Sequence, residues 1–212
     1  MNNNIPKVVL TGGPCAGKST ILSRIQESFP EQVETVPEAA NMLIGGGFPL
    51  PSDSLPYSER WQMTLQDPLF TLQQSLEANH SEIATRTNKQ LLVCDRGLLD
   101  QAAYFRGGVS EFLERYNVSD IREIIGRYSL VIHLASVALL GESAYQQASS
   151  AQERVEDTVE QVREAEQKTL EAWSLHPNLV TIEPHDDFQT KVKDVLKIID
   201  EQLRDIDQGG LE

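Results

Sequence analysis

Five short apolar runs punctuate the chain, separated by stretches whose apolar residues recur at helical spacing. Residues 7–11 (KVVLT), 33–36 (VETV), 90–94 (QLLVC), 128–134 (YSLVIHL) and 178–182 (NLVTI) make up the set. Near-continuous apolar runs of this length suit strands covered by helices on both faces, as in a parallel sheet. Helical spacing follows the first run and ends near Phe29-Pro30, and it returns over residues 57–87 and 188–203, the last with Val192, Val195, Leu196 and Ile199 turned inward. Pro68 interrupts the second of these, so a kink or a restart is expected beside Asp67. Residues 143–175 are charged, with sparse apolar positions such as Val155, Val159, Val162, Leu170 and Trp173. Such a pattern fits either a solvated charged face or a helix lying partly outside the core, a lid-like segment over about residues 141–175. The alternation of strand and helix predicts an α/β fold, a five-stranded doubly wound parallel sheet flanked by helices. No repeat or linker interrupts it, so residues 1–212 are expected to form a single domain, with the tail DIDQGGLE frayed.

Charge narrows the partners. Lys and Arg number 18 against 32 Asp and Glu, a net charge of −14, which disfavours general affinity for nucleic acid or anionic membrane surfaces. Cys15 and Cys94 are the only cysteines, and neither is placed for a disulfide scaffold, so a reducing cytoplasm is the expected setting. The start MNNNIPK lacks an apolar secretory core, and the apolar run 130–140 is broken by His133 and Ser136. No transmembrane segment is therefore expected. Oligomeric state is left open, a homo-oligomer included.

The strongest chemical signal directly follows the first run. Residues 12–20 read GGPCAGKST, which fits G-x-x-x-x-G-K-[ST] between a strand and a helix. In that setting the backbone of Gly12, Gly13, Pro14, Cys15, Ala16, Gly17, Lys18, Ser19 and Thr20 would wrap a polyphosphate at a helix N-terminus. Lys18 would reach the β- and γ-phosphates, and the Ser19 hydroxyl would ligate magnesium. The expected cofactors are ATP and Mg2+. An N-K-x-D strand end, the guanine signal, is lacking: Asn88-Lys89-Gln90-Leu91 has no aspartate and precedes its strand.

Three further positions could complete the site. Glu38 follows the second strand in VPEAAN, where it is either an acceptor-side carboxylate or a helix-start acid. Asp95 ends the third strand in CDRGLLD, where it is either the magnesium carboxylate or an N-cap. Arg96 would contact phosphate or acceptor, or else form a salt bridge to Glu38. Asp100 and Tyr104 share one face of the next helix. A glycine- and proline-rich loop over about residues 44–57 suggests a mobile cover, and Arg60, Trp61, Gln66, Gln73 and Gln74 could line an acceptor site beneath it. Arg154 and Arg163 are candidates for a lid arginine that stabilises transferred charge, and neighbouring glutamates are their alternative partners.

Taken together, GGPCAGKST, VPEAA, CDRGLLD with Tyr104, and the late RVE at Arg154 with Trp173 and His176-Pro177 resemble the NadR-like P-loop family. That family groups the ribosylnicotinamide kinase domain of NadR with a fly photoreceptor-trafficking protein and many ATPases. A looser similarity links the chain to deoxynucleoside and nucleoside monophosphate kinases. The resemblance implies a P-loop NTPase fold, with Glu38 as acceptor-side base or magnesium ligand and Asp95 with Arg96 as the metal and phosphate pair. It implies a kinase acting on a nucleoside- or nucleotide-like small molecule. The alternative is a nucleotide-binding switch of ATPase or GTPase type that acts through a protein or lipid partner.

Overall fold

The computed structural model describes residues 5–136, Leu139, 158–185 and 187–209. Strands β1 (Lys7–Thr11), β2 (Val33–Val36), β3 (Leu91–Asp95), β4 (Leu130–Leu134) and β5 (Leu179–Ile182) form one sheet in the order β2-β3-β1-β4-β5. All neighbours are parallel, so the expected sheet is present.

Burial on both faces explains why the strands read as unbroken apolar runs. Val8 and Leu10 pack with Ile21 and Ile25 of α1 (Lys18–Ser28). On the same side, Val192, Val195 and Ile199 contribute from the closing helix, Phe188–Gly209. Val9 points the other way, among Leu98, Leu99, Phe105, Phe112 and Trp173. A third cluster joins Val36, Leu92 and Cys94 to Ala84, which belongs to α3 (Glu59–Arg86). The period-2 side-chain alternation of a strand therefore feeds two apolar layers at once.

Several boundaries differ from expectation for local reasons. A short α2 (Ala39–Gly45) precedes the glycine-rich loop. Helix α3 runs unbroken through Pro68, although proline removes one ladder donor. Gln101 bridges a different ladder pair beside it. In the orientation that satisfies both ends of its amide, it donates to Gln66 O at 3.3 Å and accepts from Phe70 N at 3.2 Å. A 3-10 helix, Leu98–Tyr104, follows β3, and short helices α4 (Gly108–Arg115) and α5 (Arg122–Ile125) lead into β4.

Helix α6 (Val159–Trp173) opens on a reciprocal cap between Thr158 and Gln161 and buries Val159, Val162, Glu166, Thr169, Ala172 and Trp173. This end of the expected lid is thus packed into the body; residues 140–157, Arg154 and Val155 among them, lie outside the described residues. The closing helix, α7, continues to Gly209, past the expected fraying point. Asp207 accepts a hydrogen bond from Gln90 at 3.0 Å and Ile206 packs against the core. Among the described residues no helix is long and apolar enough to cross a membrane.

Candidate nucleotide and acceptor site

The loop between β1 and α1 owes its shape to backbone conformations that side chains avoid. Gly12 has φ 133° and Gly17 φ 87°, and a Cβ on Gly12 would lie 2.2 Å from the Leu134 carbonyl oxygen. Cys15 also has positive φ, 59°, a conformation that costs a non-glycine residue on the order of 1–3 kcal/mol and concentrates at ligand sites. Helix α1 begins with no side-chain cap and no acid in its first turn, which leaves its amides and dipole to an anion. Lys18 Nζ donates to Gly12 O and Gly13 O, each at 2.9 Å. Burial and the adjacent Arg96 lower its pKa, against the opposing pull of Glu38, Asp95 and Asp100.

Asp95 ends β3 directly beside Leu10 of β1. Ser19 Oγ donates to Asp95 Oδ2 at 3.1 Å, while Asp95 Oδ1 is buried with no hydrogen-bond partner among the described residues. Burial first, and then the Glu38 charge, push its pKa up to about 6 in spite of Lys18, Arg96 and Ser19. The capping alternative falls away, because the 3-10 helix after β3 is capped by Asp100, whose Oδ2 accepts Gly97 N–H at 2.9 Å. A hydroxyl beside a half-satisfied carboxylate fits two ligands of a magnesium ion, whose others would be phosphate oxygens and water. Among the described residues no cluster of three His, Cys, Asp or Glu side chains could hold a metal by itself.

Glu38 is differently placed. Its Oε1 accepts from Arg96 Nε at 2.5 Å and its Oε2 from Asn41 Nδ2 at 2.7 Å, so the protein already engages both oxygens. Burial opposes its ionisation, but Arg96 and Lys18 outweigh burial and hold the carboxyl below its ordinary range. Arg96 forms the salt bridge foreseen as one alternative, and its guanidinium also reaches Asp100 Oδ1 at 3.2 Å and Gly12 O at 3.4 Å. Burial works against the Arg96 charge, yet Glu38, Tyr104 and Asp100 raise its pKa well above the usual value. Arg96 itself has φ 69°. Its peptide is pinned by Arg96 N–H to Leu10 O at 2.9 Å and by Gln73 Nε2 to Arg96 O at 3.1 Å.

Asp100 organises this wall from beneath. Buried, it accepts from Thr11 Oγ1 at 2.5 Å and from Trp173 Nε1 at 3.1 Å as well as from Gly97 and Arg96. Its place in DRGLLD marked it in the sequence, but its partners come from β1 and α6, which no local pattern reveals. Glu166, His133 and Lys191 were missed altogether. Each reads locally as a helix-surface or strand residue, yet Glu166 accepts from Gly13 N–H and Lys191 donates to Ala16 O at 3.0 Å.

A cavity of about 100 Å3 opens between α2, α3 and the end of β3, lined by Glu38, Ile44, Leu65, Leu69, Arg96 and Tyr104 among others. Gln62 and Gln66 also line it. Both are buried, and neither side-chain amide has a hydrogen-bond partner among the described residues. Of the other lining candidates, Gln73 reaches the cavity but is spent on Glu77 and Arg96. Gln74 is not on the wall. Trp61 is a core residue, packed with Ala39, Leu65 and Leu69 and donating Nε1–H to Pro49 O at 3.0 Å. Arg60 lines a second, outer cavity of about 460 Å3 that shares Gln62 and Tyr104 with the first. Arg163 is on the exposed face of α6.

A search of curated protein sequences finds no match. Among solved structures the chain is similar to deoxyadenosine kinase from M. mycoides with bound dATP, at TM-score 0.61 and 14% identity, covering 92% of this chain and 99% of that one. At that identity the likeness establishes the fold alone, a five-stranded parallel sheet flanked by helices. A family model for an AAA domain matches residues 7–191, which carry the glycine loop, the β3 carboxylate and the parallel sheet described above, and the chain belongs to that family.

Proposed function

We propose that this protein is a small-molecule kinase that transfers the γ-phosphoryl group of ATP to a hydroxyl of a nucleoside-like acceptor, with magnesium. The observation that carries this is the Arg96 guanidinium, which touches Glu38 on the acceptor wall and Gly12 O in the phosphate loop. One cation thus spans the line along which a phosphoryl group would travel. Lys18 and Arg96 supply the positive charge for the transferred group, and charge stabilisation and positioning are the main demands of this reaction class. Ser19 and Asp95 would hold the magnesium ion, whose contribution is to neutralise phosphate charge. Glu38, kept ionised, orients the acceptor hydroxyl and takes its proton as the new P–O bond forms.

The acceptor reading rests on the inner cavity. Its wall is apolar except for Glu38, Arg96, Asp100, Tyr104 and amides, and Glu38 and Asp100 are both paired with Arg96. The two unpartnered amides of Gln62 and Gln66 favour a neutral ring that offers both donors and acceptors, as a nucleobase or a carboxamide-bearing ring does. The narrower kinship with the NadR-like kinases rests on VPEAA and DRGLLD. We expect residues 1–212 to act as one folded unit, in the cytoplasm.

The test is ADP release in the presence of MgATP, screened over nucleosides, nucleoside monophosphates and nicotinamide riboside, with Lys18→Ala as control. One acceptor should raise turnover well above background, and Lys18→Ala should abolish the gain. A slow rate indifferent to every acceptor would sink the kinase reading and leave a nucleotide-controlled switch in its place.

A further inference from the structure

A second buried network grips the phosphate loop, and the transfer proposed above makes no use of it. Glu166 of α6 is buried. Its Oε2 accepts Gly13 N–H at 2.5 Å and its Oε1 lies 2.6 Å from His133 Nε2 on β4. Burial opposes the charge on this carboxyl, but the His133 hydrogen bond and charge, helped by the Gly13 and Ser136 backbone, hold it below the ordinary range. The approach is close enough that a Cβ on Gly13 would lie 2.4 Å from Oε2 and 3.1 Å from the Glu166 Cβ. Glycine is needed there to admit the carboxylate.

The consequence follows from the planarity of the peptide group. Gly13 N–H and Gly12 C=O are two ends of one plane. Glu166 holds the hydrogen end, while Lys18 Nζ at 2.9 Å and Arg96 Nη1 at 3.4 Å sit on the oxygen end. Turning that plane would loosen the anchor of both cations assigned to the transferred phosphoryl group. The arrangement also explains how an acid is buried here, since unpaired buried charge is costly.

We propose that Glu166 is a positioning residue for the phosphate loop: by clamping the Gly12–Gly13 peptide it sets where the Lys18 ammonium stands, and so links the placement of α6 to nucleotide affinity. The proposal rests on the nucleotide reading of the loop. Binding of MgATP by the wild type, and its loss in Lys18→Ala, test that reading separately.

The test measures MgATP dissociation constants for Glu166→Gln, Glu166→Asp and Glu166→Ala by titration calorimetry, alongside far-UV circular dichroism. Gln keeps an oxygen at the same reach, and its affinity should stay within about threefold of wild type. Asp keeps the charge but falls one methylene short, and Ala offers no acceptor. Both should weaken MgATP by about tenfold to a hundredfold with a native spectrum, the cost of misplacing a phosphate-binding cation by about 1 Å. Wild-type affinity in the Asp variant, or equal weakening in Gln and Asp, would overturn the proposal. So would loss of the folded spectrum in the Asp variant, which would make the residue a scaffold element only.

Discussion

Two carboxylates mark the two walls of the site, and they are set up in opposite ways. Glu38, after β2, has an arginine on one oxygen and an amide on the other, and these hold its pKa below the ordinary range. Asp95, at the end of β3, has a hydroxyl on one oxygen and nothing on the other, and burial pushes it up to about 6. The first has a protein partner on each oxygen before any ligand arrives. The second is an unfinished charge awaiting a cation. Both act electrostatically on Lys18, so the same ammonium stands between a stable wall and a costly one.

The largest effects should come from removing each charge in turn. Asp95→Asn and Glu38→Gln should both slow acceptor-dependent ADP formation by roughly 10²- to 10⁴-fold, the usual weight of a metal carboxylate or a general base. The two should part in other measurements. Asp95→Asn should weaken MgATP binding and raise the thermal midpoint of the ligand-free protein. Glu38→Gln should leave MgATP affinity within about threefold while lowering stability by about 1–3 kcal/mol, because Arg96 loses its charged partner. Calorimetric binding and thermal unfolding of the two variants check both halves. If Glu38→Gln abolished MgATP binding, the contrast would break and Glu38 would belong to the metal.

A tenfold effect should follow from the acceptor pocket. Gln62→Leu and Gln66→Leu should each raise the acceptor KM by about 5- to 50-fold, the discrimination expected when one hydrogen bond to a ligand is lost. MgATP affinity should not change. Stability should hold, since each substitution removes an amide that has no hydrogen-bond partner among the described residues. Steady-state kinetics with the acceptor varied at saturating MgATP settle it; an unchanged acceptor KM in both variants would move the acceptor out of the inner cavity.

How much of this could be read in the sequence divides along the same line. The phosphate side was legible because its chemistry is local: the motif, the preceding strand and the following helix are contiguous, and glycines at 12 and 17 report positive φ directly. Asp95 and Glu38 could be flagged by their place after apolar runs, but only the strand order brings β2, β3 and β1 side by side. The rest is long-range. Trp173, spaced like any apolar helix residue, donates to Asp100 seventy-three positions earlier. Glu166 looks like one acid in a charged helix, and only the β4–α6 packing turns it toward Gly13. Gln101 appears polar and unremarkable, yet its amide bridges Gln66 O and Phe70 N beside Pro68. Helical spacing likewise could not tell a partly exposed lid from the packed α6, because the residues covering α6 come from the 3-10 helix after β3.

The smallest effect is the most diagnostic of the Asp95 wall. Its folded pKa of about 6 lies above the roughly 3.9 of an unfolded aspartate. Between those values the folded state binds more protons, so the group contributes stability that is fully present below about pH 4 and lost as pH rises through about 6. Asp95→Asn has no such titration. The midpoint gap between variant and wild type should therefore be widest above pH 7, on the order of 5 °C, from a shift worth about 3 kcal/mol at most and about 2–4 °C per kcal/mol at this chain length. It should narrow through pH 6 and close towards pH 4. Carboxylates remote from Asp95 titrate in both proteins and cancel in the difference. Saturating MgATP at pH 7.5 should reverse the order, stabilising the wild type by mass action while the variant gains little. A gap that stayed constant from pH 7.5 to 4 would mean that Asp95 bears no unmet charge, and that the two carboxylates are not the opposites their hydrogen bonds make them.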